Sequence, residues 1–430
     1  MRRYALVGTG SRSQMYLGAL LGSHAEAGLP VAFCDTNEVR MAFHDRLVRE
    51  ARPDLALPHY APADFDTLLA KERPDVVIVT SPDATHAGYA GAALRHGADA
   101  VVEKPMTTDA AGLNEIHEAL SASERRLTVT FNYRYSPRNS LVRQLLTEGA
   151  IGEVTSVAFE WCLDTLHGAD YFRRWHREKA VSGGLLVHKA SHHFDLVNWW
   201  LADLPEVVFA RGGLRFYGAD NARRRGLGAR PERSRDATGD PFGLDIAADD
   251  KLRELYRDGE HLDGYIRDRD VFSGGITIED NLNVVVGYRR GASMSYTLHA
   301  HSPWEGYRVA INGTGGRIEL DVVERGHVTP GAAVDPSATE DPHRERGSRL
   351  LLQRHWKRAE QVPIPEGRGG HGGGDAMLLD DVFHGPGDDP LGRAAGYLDG
   401  AASVLVGVAG NESLRTGQAV RLDDLGVPLR

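Results

Sequence analysis

The stretch that most constrains this chain stands at its start, where Tyr4-Ala5-Leu6-Val7 runs straight into Gly8-Thr9-Gly10. Four residues, three of them aliphatic, predict a buried strand, a tight turn and a helix opening near Arg12. Gly8 allows the turn, and Gly10 leaves no Cβ where a pyrophosphate must approach the backbone. The helix start at Ser11 and Arg12 adds unpaired N–H groups and a partial positive charge. Ser13 stands where the full fingerprint has its third glycine. Two glycines alone would suit any tight strand-to-helix turn. The second signal is Val31-Ala32-Phe33-Cys34-Asp35, an apolar strand ending in a carboxylate 25 residues after Gly10. Such a carboxylate accepts hydrogen bonds from an adenosine ribose and repels a 2′-phosphate. Together they predict a dinucleotide site for NAD, with Arg40, one helical turn on, as the residue able to upset that preference.

Strands and helices then alternate. Residues 38–49 have helical spacing, with Val39, Phe43 and Leu47 on one stripe. A short strand at 59–60 and a helix at 64–71 follow. Val76 to Thr80 is an unbroken β-branched run, as a central parallel strand covered on both faces requires. It breaks at Ser81-Pro82. A helix over 84–95, a strand at 100–102 ending in Glu103-Lys104-Pro105, an Asp109-capped helix and a strand at 127–131 complete the pattern. This predicts an α/β fold whose N-terminal Rossmann domain, residues 1–135, is a doubly wound parallel sheet. Ligands of such sheets sit at the strands' carboxyl ends, where Gly8, Asp35, Ser81, Lys104 and Asn132 fall.

The pattern changes after Ser136-Pro137. A helix at 139–148, a long strand at 154–162 and a helix at 186–201 precede strand-like runs at 206–216, 275–287, 292–300, 306–312 and 316–323. Strands in succession predict a second α/β domain, 136–430, with an open, mainly antiparallel sheet and a closing helix at 392–410. Residues 219–270 interrupt it with an arginine-rich half and an acidic half, read as a solvated insertion whose charges balance. Residues 329–348 read as a second loop. In Gly369 to Asp375, glycines around His371 would let backbone and imidazole approach something closely.

A net charge of −10 argues against non-specific binding to nucleic acid or to an anionic membrane. The two cysteines, Cys34 and Cys162, make no disulfide framework. Arg2-Arg3 is followed by a strand and turn rather than a signal peptide's apolar region, and no apolar run approaches the roughly 20 residues of a membrane span. A cytoplasmic protein is expected.

Two constellations carry chemistry. Glu103-Lys104-Pro105 sets an ammonium at the end of a central strand, beside the expected nicotinamide pocket. On a helix, His188, His192 and Asp195 share a face at i, i+4 and i+7, beside apolar Leu186, Val187, Phe194 and Leu196. Histidines at i, i+4 can share a zinc, but no third ligand can be picked out, so no metal is assigned.

With Gly8-Thr9-Gly10, Thr80-Ser81-Pro82 followed by His86, Glu103-Lys104-Pro105, Asn132-Tyr133-Arg134 and the His192 helix, the chain resembles the glucose–fructose oxidoreductase/inositol dehydrogenase (Gfo/Idh/MocA) family. The resemblance implies a Rossmann domain and an open-sheeted α/β domain often used for oligomerisation, hence a homo-oligomer, dimer or tetramer. It also implies a lysine and a histidine at the reacting carbon, here Lys104 and His192. The family commonly carries Asp four residues before that histidine; here it is His188. The expected cofactor residues are Gly8, Gly10, Ser11, Arg12, Asp35, Thr80, Ser81, His86, Glu103, Lys104 and Asn132. Tyr133, Arg134, His176, His193, Asp195 and His371 are the expected substrate residues, with His188 orienting His192 or holding a hydroxyl and Asp195 fixing a tautomer. The reading is an NAD-dependent oxidoreductase acting on a secondary hydroxyl of a sugar, glycoside or cyclitol. One alternative, which the histidines and the 369–375 segment also resemble, is the family's redox-neutral NAD-dependent glycosidase branch. The other is a non-catalytic NAD-binding sensor or structural subunit, which would need neither Lys104 nor a histidine face.

Overall fold

A computed structural model of the chain describes residues 1–237, 239–330, 341–366 and 370–429, with the side chains of 370–372 left out. The first six strands are β1 (Arg2–Val7), β2 (Gly28–Cys34), β3 (His59–Tyr60), β4 (Val76–Val79), β5 (Asp99–Val102) and β6 (Leu127–Val129). They form one parallel sheet in the order β3-β2-β1-β4-β5-β6. Tyr4 to Val7 and Val76 to Val79 are wholly buried at its centre, as helices on both faces require. The order reverses between β1 and β4, the place where doubly wound sheets bind ligands. There Gly8 has φ of +82°, and a Cβ on it would lie 2.5 Å from the Ser81 nitrogen. Only glycine fits.

The remaining strands are β7 (Val154–Asp164), β8 (Pro205–Gly213), β9 (Asn281–Tyr288), β10 (Ser293–Ser302), β11 (Glu305–Gly313), β12 (Gly316–Arg325), β13 (Gly347–Arg354), β14 (Glu360–Val362) and β15 (Val420–Arg421). They build a nine-stranded sheet, β14-β13-β12-β11-β7-β10-β9-β8-β15. Every neighbouring pair is antiparallel except β7 with β10, which run parallel at its centre. Alternation drives it: on β9, Leu282, Val284 and Val286 point inward while Val285 is exposed.

Local differences have physical causes. The helix expected over 186–201 is two, Leu185–His188 and Ser191–Leu201, joined through Lys189 and Ala190. The closing helix runs Tyr397–Thr416 rather than 392–410. It lies against both sheets' supports: a Cβ on Gly400 would sit 2.8 Å from Met106, and one on Gly407 would sit 2.6 Å from the Leu186 carbonyl oxygen. The 219–270 insertion is not a solvated strip. Arg230 pairs with Asp240 and Asp270, Arg233 pairs with Glu260 and Asp268, and Asp268 and Asp270 are fully buried. Balanced charge read as solvation because the sequence does not show which opposite charges meet.

Arg134, just after β6, ties the two sheets together. Its guanidinium donates from Nε and Nη2 to the two carboxylate oxygens of Asp195, at 2.8 and 2.5 Å, and from Nη2 to Asp399 at 2.7 Å. Arg134 and Asp195 are shut off from solvent. Removing one partner of such a pair leaves the other charge buried and alone, which costs about 3–5 kcal/mol. Asp195→Ala is therefore expected to lower the thermal unfolding midpoint by several degrees; an unchanged midpoint in differential scanning calorimetry would refute this role.

Candidate active site

The edge beyond β1, β2 and β4 has the chemistry of a dinucleotide cradle. The helix Ser13–Leu21 starts without a side-chain cap; the Gln14 and Met15 amides donate back to the Ser11 and Arg12 carbonyls at 3.4 and 3.3 Å, and the helix start presents a partial positive charge suited to an anion. Gly10 keeps the backbone open; the nearest atom to a Cβ there is the Tyr256 hydroxyl, at 3.4 Å. Asp35, at the end of β2, accepts from the Thr9 amide at 2.6 Å and from Arg40 at 2.8 Å. The residues present thus fit a dinucleotide, its pyrophosphate at the helix start and its adenosine ribose near Asp35.

Other expected cofactor residues shape these walls through their own bonds. Thr80 donates its hydroxyl to the Gly8 carbonyl at 2.5 Å, pinning the glycine turn. The two ring nitrogens of His86 lie 2.8 Å from the carbonyl oxygens of Pro105 and Ser81, bracing the loops after β4 and β5. Ser81 pairs its hydroxyl with that of Thr85. Glu103 accepts from Arg12 and, at 2.7 Å, from the Tyr16 hydroxyl. Burial opposes its charge, but Arg12 and these bonds hold the carboxyl below its ordinary value. Asn132 donates to Asp375 at 2.7 Å, and a Cβ on Gly374 would sit 2.4 Å from the Asn132 carbonyl oxygen. The glycine-rich segment thus opens a helix, Gly370–His384, pressed against the end of β6. The His371 side chain lies outside the described residues.

Lys104 faces the second sheet's helices. Its ammonium donates to the His188 carbonyl oxygen at 3.1 Å. Burial drives it down to about 8, against the pull of the Asp83 and Glu103 carboxylates. The His188 ring is bound from the other side: its Nδ1 lies 2.5 Å from an Asp83 carboxylate oxygen. Burial, then the positive charge of Lys104, keeps His188 well below the ordinary imidazole range. Burial also pushes the Asp83 carboxyl upward, with Lys104 opposing. Tyr171, Trp175 and His176 enclose the His188 ring, His176 at 4.2 Å between centroids. His176 is buried and neutral, its pKa pushed down first by burial, and its Nδ1 has no hydrogen-bond partner among the described residues. His192 stacks on Tyr133, centroids 4.2 Å apart and planes within 10°. The Tyr133 hydroxyl accepts from Lys189 at 3.3 Å.

Lys104, His188, His192, Tyr133 and His176 therefore share one region, whereas three expected partners turn elsewhere. Asp195 cannot orient His192 or bind substrate as expected, because both its oxygens are held by Arg134, and Arg134 is itself consumed by that pair. His193 is fully buried, stacked 4.0 Å from Trp161 with Nδ1 2.7 Å from the Tyr296 hydroxyl. Sequence reasoning passed over Asp83 and Lys189. A carboxylate directly after Ser81-Pro82, at a central strand's end, was the available signal for Asp83. Lys189 adjoins His188 in the histidine motif itself. Among the described residues, His24, Asp380 and His384 also gather three possible ligand atoms within 4.8 Å, but at the rim of the helix Gly370–His384, with Asp380 and His384 exposed.

Known proteins match this architecture. Residues 2–131 match the model of the oxidoreductase family's NAD-binding Rossmann fold, and residues 143–422 that of its C-terminal alpha/beta domain. YteT of Bacillus subtilis (strain 168) is 37% identical over 373 residues, covering 83% of each chain. Inositol 2-dehydrogenase of Rhizobium meliloti (strain 1021) is 30% identical over 146 residues, 34% of this chain and 42% of that one. The aldose-aldose oxidoreductase of Caulobacter crescentus, solved with glycerol, shares the fold at a TM-score of 0.62 and 17% identity, covering 98% of this chain and 99% of that one. With both halves of the family represented in order along nearly the whole sequence, the chain belongs to the Gfo/Idh/MocA oxidoreductases.

Proposed function

We propose that the protein oxidises a secondary hydroxyl of a sugar, glycoside or cyclitol, or reduces the corresponding keto-sugar, with NAD as its cofactor. The observation that carries this reading is the meeting of Lys104 and Asp83, from the Rossmann sheet's strand ends, with His188 from the other half, four residues before His192 on its Tyr133 stack. Nicotinamide supplies the hydride acceptor. His192 takes the hydroxyl proton, as a neutral imidazole can near pH 7. The Lys104 ammonium donates to the same oxygen and stabilises negative charge developing there. Donating its Nδ1–H to Asp83 leaves His188 with an Nε2 lone pair for a neighbouring substrate hydroxyl. Tyr133 holds the His192 ring flat, and His176 offers Nδ1 to the same substrate. Selectivity for a polyol fits this set of hydrogen-bonding rings better than binding alone, which needs no buried lysine. For the sheet's outer face, exposed Phe209 and Val285, partners in register on β8 and β9, support a homo-oligomer.

Lys104→Ala and His192→Ala are each expected to lower turnover by about 10²–10⁴ while NADH binding, followed by fluorescence of the reduced nicotinamide, survives. Wild-type turnover in either variant would remove that residue from the mechanism. The pH dependence has a defined sign. Lys104 acts protonated, so kcat/KM falls as pH rises through about 8. The Asp83 carboxylate raises the Lys104 pKa; Asp83→Asn removes that support and should move the basic limb to lower pH. A limb that stays put or rises would disconnect Asp83 from Lys104.

A second reading has its own observation: two separately held histidines, His188 on Asp83 and His192 on Tyr133, could serve as base and acid for elimination beside a transient ketone. Incubation with NAD and p-nitrophenyl glycosides separates the two. Oxidation yields NADH in step with product; nitrophenolate released without NADH would establish the redox-neutral glycosidase instead.

A further inference from the structure

The 219–270 insertion arises between β8 and β9 of the second sheet, yet part of it lies on the Rossmann half at the adenosine end of the cradle. Tyr256 accepts the Ser11 amide on its hydroxyl at 2.9 Å. Asn37 donates its side-chain amide to the Gly259 carbonyl at 2.8 Å, and a Cβ on Gly259 would sit 2.6 Å from Asn37 Oδ1, so the Gly259 backbone lies directly against the Asn37 side chain. Glu254 pairs with Arg46, and Leu255, Tyr256 and Ile246 pack with Phe43 of the helix Glu38–Ala51. The most consequential contact is at Arg40. Its Nε and Nη2 donate to Asp35 Oδ1 at 3.1 and 2.8 Å, and Nη2 also reaches Thr36 Oγ1 at 3.0 Å and Asp263 Oδ2 at 2.6 Å. The side chains of Arg40, Asp35 and Asp263 are nearly closed to solvent, at 9%, 7% and 13% exposure, so the interaction is weakly screened.

Arg40 stands where a 2′-phosphate would need a guanidinium, five residues past Asp35 at the end of β2. Serving a phosphate dianion would require Arg40 to leave a carboxylate. Asp35 alone gives it one carboxylate partner. Asp263 supplies a second, from a segment outside the Rossmann domain, so a phosphate must compete with two carboxylates for the guanidinium. An unphosphorylated ribose needs no guanidinium, so the pairing of Arg40 costs it nothing.

We propose that Asp263 is a specificity-determining residue: by holding Arg40 against Asp35 it makes the adenosine site select NAD over NADP. The selection is then shared between the two halves of the chain, and the insertion completes the cofactor site rather than merely covering it. This rests on the reading above that the cradle binds NAD.

The test is equilibrium binding, independent of turnover: titration of NADH and NADPH into the full-length protein, followed by nicotinamide fluorescence, for wild type, Asp263→Asn, Asp263→Glu, Arg40→Gln and Arg40→Gln/Asp263→Asn. Asp263→Asn should narrow the NADPH-to-NADH ratio of dissociation constants about tenfold, the scale of one buried charge at short range. Asp263→Glu, which keeps the charge, should stay within about twofold of wild type. In the Arg40→Gln background the Asn substitution should lose most of its effect, because the effect runs through Arg40. Because the readout is a ratio, general loosening of the segment cancels. An unchanged ratio in Asp263→Asn, a parallel weakening of both cofactors, or an equal shift in the Arg40→Gln background would each overturn the proposal. Failure of the wild type to bind either cofactor would overturn it together with the dinucleotide reading beneath it.

Discussion

Everything about this site depends on a single buried cation, Arg134. Lys104 and Asp83 sit at strand ends of one sheet, His188 and His192 on helices packed against the other. Neither pair makes a reaction centre alone. The two come into register because Arg134 leaves β6 and engages Asp195 beside the histidines and Asp399 on the closing helix. A buried ion pair is weak evidence for stability, since burial of two charges costs much of what their attraction returns. It is good evidence for position, because a guanidinium meeting a carboxylate by two bonds tolerates little sliding or rotation. The closing helix adds apolar support to the same joint, with Gly400 against Met106 on one half and Gly407 against Leu186 on the other.

A second joint at the opposite end of the cleft works differently. There the insertion reaches from the nine-stranded sheet to Ser11, Asn37 and Arg40 through single hydrogen bonds and one ion pair. These contacts lie at the Asp35 end of the cleft, whereas Arg134 lies at the histidine end. The cleft is therefore bounded by two inter-domain contacts of different make, one centred on a buried guanidinium, the other spread over the pairs Arg40–Asp263 and Arg46–Glu254 and the packing of Leu255, Tyr256 and Ile246 on Phe43.

What could be read in the sequence was what is local. An apolar run into Gly8-Thr9-Gly10, the β-branched run at 76–80 and the alternation along β9 and β10 each announce their element within a few residues, and the two-sheet architecture followed from their order. Lys104 was visible because a strand end is a special place in a doubly wound sheet. The remainder rests on contacts between distant residues. Asp195 looked like part of the histidine face by helical spacing, but its oxygens belong to Arg134, 61 residues away. His193 followed His192 in sequence and is core, packed on Trp161. The insertion's charges gave no hint of Asp263 reaching Arg40, 223 residues distant. The strands β13 to β15 were missed, two of them too short to show a period of two.

The pairing of His188 with Asp83 gives position 188 a physical account. An aspartate at position 188 would set a carboxylate close to Lys104 from the helix side. In this chain that position carries an imidazole kept neutral by burial, and a carboxylate is contributed from the loop after β4, against the far side of the same ring. The carboxylate nearest this ring thus stands behind the histidine. Two consequences follow. The ammonium has the Asp83 and Glu103 carboxyl groups opposing the burial that drives it down to about 8. In the proposed oxidation, His188 would meet substrate with a ring whose Nε2 accepts while its proton is anchored on Asp83, where an aspartate could only accept. A site built this way orients a hydroxyl without placing a full negative charge next to the oxygen that must itself become negative, and that favours the oxyanion Lys104 is placed to stabilise.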